Sequence, residues 1–148
     1  LQKLNLLKRE VPMTNSTRED IYYGKIEDFF NSFNIKHPAK KASFMIGNLV
    51  NFLLYVQRKE RNASYGDEPF RSKLYGLMLD ELKIKKIFSQ AVQKLNEYKT
   101  TSKLEEMASK YLLTSEGKWD ISRDEISYYF TLGLCMGNIL KEGGVENE

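Results

Sequence analysis

The sequence predicts an all-α fold, a single-domain bundle of about five to six helices. Apolar residues recur at steps of three and four in one segment after another, capping residues precede those segments, and only three prolines interrupt 148 residues. No stretch alternates convincingly like a strand, and there is no internal repeat or low-complexity tract. At 17.3 kDa the chain is long enough to bury about two-thirds of its unfolded surface around one core without disulfides or metal. Hydrophobic residues at 41% and charged residues at 29% exclude a disordered chain.

Residues 1–16 read as a connecting arm, because Pro12 and the polar run Thr14 to Thr17 interrupt an amphipathic start. The bundle is expected over residues 17–142, with a disordered tail over 143–148. The chain opens on Leu1 rather than Met, so it reads either as part of a longer frame or as lacking disordered residues at its start. Ser16 or Thr17 is placed to cap a first helix whose Glu19 and Asp20 suit a positive helix N-terminus. Tyr22, Ile26, Phe29, Phe30 and Phe33 form its apolar face, and Pro38 ends the following link with His37 as a turn residue.

A central helix begins near Ala39. Ala42, Met45, Ile46, Leu49, Phe52, Leu53 and Val56 fall in one broad apolar sector. From Phe44 to Arg61 the helix spans roughly 27 Å, which carries Arg58, Lys59 and Arg61 from a buried middle to the surface. The loop 62–69 is rich in turn formers, and a short helix is expected over Phe70 to Gly76. Asp80 caps the next element, with Ile84, Ile87, Phe88, Ala91, Val92, Leu95 and Tyr98 inward and Lys83, Lys85, Lys86 and Lys94 outward. Ser102 with Glu105 reads as a capping box for a helix burying Leu104, Met107, Ala108, Tyr111 and Leu112. Ser122 with Glu125 opens the last helix, which is expected to end at Gly143 and Gly144. That helix has two apolar faces, Ile126, Tyr129, Phe130, Leu134 and Leu140 on one and Tyr128, Leu132, Cys135 and Ile139 on the other, which places it at the bundle centre. Gly133 and Gly137, and Gly47 in the central helix, mark close helix approach.

Several function classes fall away on composition. The lone Cys135 forms no internal bridge and points to a reducing, cytoplasmic compartment. There is no secretion signal, and the longest apolar run, Phe44 to Val56, is too short for a membrane span and contains Asn48 and Asn51. His37 reads as a turn residue and Cys135 as a small core residue, so neither is a ligand or nucleophile. Glu105, Glu106, Asp124 and Glu125 stand in first helical turns, where they favour the helix dipole rather than general acid and base work. The expectation is a non-enzyme with no metal, no cofactor and no small-molecule substrate.

Charge is segregated. Eleven of the 23 basic residues but only five of the 20 acidic ones lie between Lys36 and Lys86, giving that segment net +6 within a chain of net +3. The candidate nucleic-acid-binding set is Lys36, Lys40, Lys41, Arg58, Lys59, Arg61, Arg71, Lys73, Lys83, Lys85 and Lys86, with Tyr55 or Tyr65 as stacking platforms. Charge alone is balanced between two readings of this set, a grip on phosphates and a solvated surface laced with ion pairs.

Four stretches carry a resemblance: Phe44-Met-Ile-Gly47, Gln57-Arg-Lys-Glu-Arg61, Pro69-Phe-Arg-Ser-Lys-Leu-Tyr-Gly-Leu77 and Tyr128-Tyr-Phe-Thr-Leu-Gly133. Together they resemble the C-terminal helical region of the large subunit of subtype I-B CRISPR Cascade complexes, over about residues 38 to 140. In that family the region is also made separately as the small subunit, and a chain of this length is similar to that product. The resemblance implies a non-catalytic bundle lying against Cascade backbone subunits, the large subunit and neighbouring copies of itself. Guide RNA and target DNA would be its nucleic-acid partners, and it would stabilise the R-loop by holding sugar-phosphate backbone, the displaced strand included, while base pairing reads sequence. The family offers no catalytic residues to carry over. The alternative is a helical protein-interaction module whose basic face merely solubilises it. A helix-turn-helix reader would need a short turn between two helices, and the 62–69 loop is too long.

Overall fold

In the computed structural model the described residues are 15–137, with side chains from residue 21. They form five α-helices and one 3-10 helix and no strand. The helices are α1 (Asn15–Ser32), α2 (Pro38–Arg61), α3 (Glu81–Glu97), α4 (Lys103–Thr114) and α5 (Arg123–Met136), with the 3-10 helix (Pro69–Leu74) between α2 and α3. No helix among the described residues is long and apolar enough to cross a membrane.

The axis of the bundle is α2. It packs against α5, α4, α3 and the 3-10 helix, while α1 lies mainly on α4 and reaches α2 through Phe29 and Phe30 against Phe44. Every residue of the predicted apolar sector is buried, and so are Phe44, Gly47, Asn48, Val50, Leu54 and Gln57 on its other sides. A helix buried all round belongs in the middle of a bundle. This corrects the expectation for the last helix. On α5 only Ile126, Phe130 and Gly133 are buried, whereas Tyr128 is 60% exposed and Cys135 is exposed rather than a core residue. α5 also stops early. Gly137 takes φ 77 after Met136, and the expected end at Gly143 lies outside the described residues. Gly137 therefore terminates the helix instead of allowing close approach, since nothing would meet a Cβ there.

Close approach does occur at Gly47 and Gly133. A Cβ on Gly47 would collide with the Phe130 carbonyl and lie 2.9 Å from the Leu134 nitrogen, and one on Gly133 would collide with the Phe44 carbonyl and lie 3.1 Å from the Asn48 nitrogen. Backbone thus meets backbone where α2 crosses α5. At the same crossing Asn48 Nδ2 donates to the Gly133 carbonyl at 3.0 Å and also to that of Gly137, and Asn51 Nδ2 donates to the Leu134 carbonyl at 2.9 Å. The last four carbonyls of a helix have no intrahelical partner. The two asparagines inside the apolar run satisfy two of those on α5.

Helix starts follow local chemistry. His37 is a cap rather than a simple turn residue: its Nδ1 accepts from the Ala39 N–H at 3.1 Å, and Pro38 fills the first helical position. Since Nδ1 accepts, the ring proton sits on Nε2, which meets Asp120 at 2.7 Å and ties the start of α2 to the loop before α5. Asp80 caps α3 as expected, accepting from the Lys83 N–H at 2.8 Å. The box at Ser122 and Glu125 is complete. That at Ser102 is half made, because Ser102 Oγ accepts from the Leu104 N–H while Glu105 Oε1 is buried with no partner among the described residues. Burial, then the neighbouring Glu106 charge, push the Glu105 carboxyl above its usual pKa. Ser16 and Thr17 lie within α1 rather than ahead of it, so neither caps it.

Candidate nucleic-acid interface

The eleven candidate cations divide by what surrounds them. Lys40 pairs with Glu125 at 3.3 Å, Lys41 with Glu27 at 2.9 Å and Lys85 with Glu81 at 2.7 Å. Lys41 is largely buried, and its partner Glu27 also accepts from the Tyr111 hydroxyl at 2.6 Å. These three cations tie helices or turns together. Burial and the Glu27 hydrogen bond drive the Tyr111 hydroxyl pKa far upward, so it stays protonated as the donor.

Arg58 and Arg71 share one acid. Glu68 has a fully buried side chain and accepts from Arg71 Nε at 2.7 Å, Arg71 Nη2 at 3.2 Å, Arg58 Nη1 and the Gly66 N–H at 3.0 Å. The hydrogen bond from Arg71 is the largest influence holding its pKa down, to about 2, against the opposing effect of burial. Next to it, Gln57 Oε1 accepts from the Phe70 N–H at 2.9 Å. The loop after α2 is thereby fastened to the helix that precedes it. Glu68 was not foreseen from sequence, although its spacing of three from Arg71 is a legible pairing signal.

The remaining six, Lys36, Lys59, Arg61, Lys73, Lys83 and Lys86, are exposed and make no ion pair with any described residue. Three of them converge. Lys73 from the 3-10 helix and Lys83 and Lys86 from α3 line a single open hollow of about 290 Å³, floored by Leu77 and Ile87 and flanked by Gln90. Lys83 and Lys86, spaced three apart, stand on one face of α3, and Lys73 of the 3-10 helix lines the same hollow. Three ammonium groups and one amide around a shallow apolar floor can hold phosphate oxygens by charge without fixed geometry. No cluster of three His, Cys, Asp or Glu side chains able to hold a metal occurs among the described residues.

The family model that matches the chain is the C-terminal domain of CRISPR-associated protein TM1802, over residues 1–143. The chain belongs to this family. No curated protein and no solved structure matches it. Membership covers the whole described bundle, so the lysine hollow, the Glu68 cluster and the α2–α5 crossing are all features of this CRISPR-associated domain.

Proposed function

We propose that this CRISPR-associated domain is a non-catalytic component of a type I-B Cascade complex, acting as its small subunit and stabilising the R-loop by holding nucleic-acid backbone. The observation that carries the reading is the convergence of Lys73, Lys83 and Lys86 on one hollow with no described carboxylate to neutralise them. Displaced target DNA or the guide-target duplex is the ligand class, because guide pairing reads sequence and leaves the protein to hold sugar-phosphate. Cascade backbone subunits, the large subunit and neighbouring copies of the same chain are the proposed protein partners, in the cytoplasm. To test it, R-loop formation by the assembled complex would be measured across salt concentration with Lys73, Lys83 and Lys86 all replaced by Ala. Weaker binding with a shallower salt slope supports the reading. Unchanged affinity and slope remove the role from this hollow.

A second reading has its own observation. Tyr75, Met78 and Leu82, at 70%, 55% and 79% exposure, are large apolar residues close in sequence to those that line the hollow, and exposed apolar residues of this kind suit a protein-docking module. A complex that lacks this chain yet binds DNA equally well favours that reading.

A further inference from the structure

We infer that Tyr65 is a stacking platform for one unpaired base, held ready by the Arg58–Glu68–Arg71 cluster beneath it; this inference rests on the proposed nucleic-acid function. Tyr65 is 79% exposed, at the tip of the loop between α2 and the 3-10 helix. The Arg58 and Arg71 guanidinium carbons stand 5.3 and 4.8 Å from its ring centroid. Both guanidiniums are tied to the single Glu68 carboxylate, and at 79% exposure most of Tyr65 is left to solvent.

The loop under the ring is fixed by its own bonds. The Ala63 N–H donates to the Arg58 carbonyl at 3.0 Å, the Asp67 N–H to the Ser64 carbonyl at 3.1 Å, and the Gly66 N–H to Glu68. Asn62 and Gly66 take φ 50 and 98, left-handed values that turn the chain. A tyrosine so supported does not anchor the core, because it is exposed. Glu68 does not need it, since that acid already accepts from both arginines and from backbone, and the contact of the Tyr65 side chain with Arg71 holds the residue in place without covering it. What remains is a rigid aromatic face open to water beside positive charge, the arrangement on which unpaired bases stack. Duplex bases are already stacked on one another, so the ligand is a single strand.

The test compares binding of labelled oligothymidine, the same strand made abasic with phosphates retained, and a duplex, to the full chain and to its Tyr65→Ala and Tyr65→Phe variants. Stacking of one base is worth roughly a 5- to 150-fold change in affinity. Tyr65→Ala should lose that factor on oligothymidine and nothing on the abasic strand, while Tyr65→Phe stays close to wild type. If the unaltered chain binds the abasic strand as tightly as oligothymidine, or if Tyr65→Ala weakens both strands alike, the stacking site is overturned while the backbone-holding function stands. Binding confined to duplex overturns it likewise. If no nucleic acid binds even at low salt, the functional reading falls and this inference with it. The abasic comparison needs no variant, so a folding defect in Tyr65→Ala does not block it.

Discussion

Asn48 donates its side-chain amide to the carbonyl of Gly133 at 3.0 Å, from the fully buried middle of α2 to the last turn of α5. A polar residue inside an apolar helix here completes another helix's end, and the packing of α2 on α5 depends on it. Replacing Asn48 with Ala leaves buried carbonyls without donors, and the expected loss is about 1–3 kcal/mol of stability. Asn51→Ala removes one bond from a half-buried position and should cost less. Urea unfolding of both variants checks the order; equal effects would mean that burial at Asn48 adds nothing.

The glycines of α2 and α1 should respond in opposite directions to the same substitution. Gly47→Ala inserts a methyl group into backbone atoms that cannot turn aside, and a loss of at least 1–3 kcal/mol is expected. Gly24 is exposed on α1 with nothing within 4 Å, so Gly24→Ala should gain roughly 0.5–1 kcal/mol from helix propensity. Thermal unfolding of the pair shows the difference directly.

Glu68 gives the fold an acid-sensitive fastening. Its folded pKa, about 2, lies below the ordinary 4.5, so its contribution is fully present above the unfolded value and is lost as pH falls from near 5 toward 2. The amount is on the order of 3 kcal/mol. Denaturation midpoints measured across that range should drop in the wild type and drop less in Glu68→Gln. At neutral pH Glu68→Ala should cost roughly 3–5 kcal/mol, because two arginines lose a buried partner.

The lysine hollow makes a quantitative prediction for salt dependence. If all three ammonium groups contact phosphates of a single strand, their replacement by Ala should flatten the slope of log affinity against log salt by roughly 2, at about 0.7 for each contact. Replacing Lys40, Lys41 and Lys85, each already paired with a carboxylate, should change that slope far less. Equal changes in the two triple variants would show that ion pairing does not sort the cations.

The helical segments were legible in the sequence because each carries its own periodicity and most carry their own cap. Asp80 and Ser122 cap the helices they were expected to cap, and the apolar sector from Ala42 to Val56 is buried in full. The order of burial was less legible. Both α2 and α5 are apolar on more than one side, and nothing local states that α2 has neighbours all round while Tyr128 of α5 faces outward. His37 misled in the same way, since a residue before proline looks like a turn whether or not its ring caps the helix that follows. At the candidate interface, charge segregation identified the region but could not rank its members. Arg58 and Lys59 are neighbours in sequence, yet one is bound to a buried acid from the next loop and the other is exposed. That division is tertiary, and only the course of the chain from Asn62 to Phe70 creates it.

Where Gly47 crosses Gly133, no side chain separates the two helices. Such a joint has no soft layer to compress, and α2 runs some 21 Å from it to Arg61. At this crossing α5 therefore rests on the backbone of α2 itself, and any shift of one helix across the other meets main chain rather than a side chain that could change rotamer.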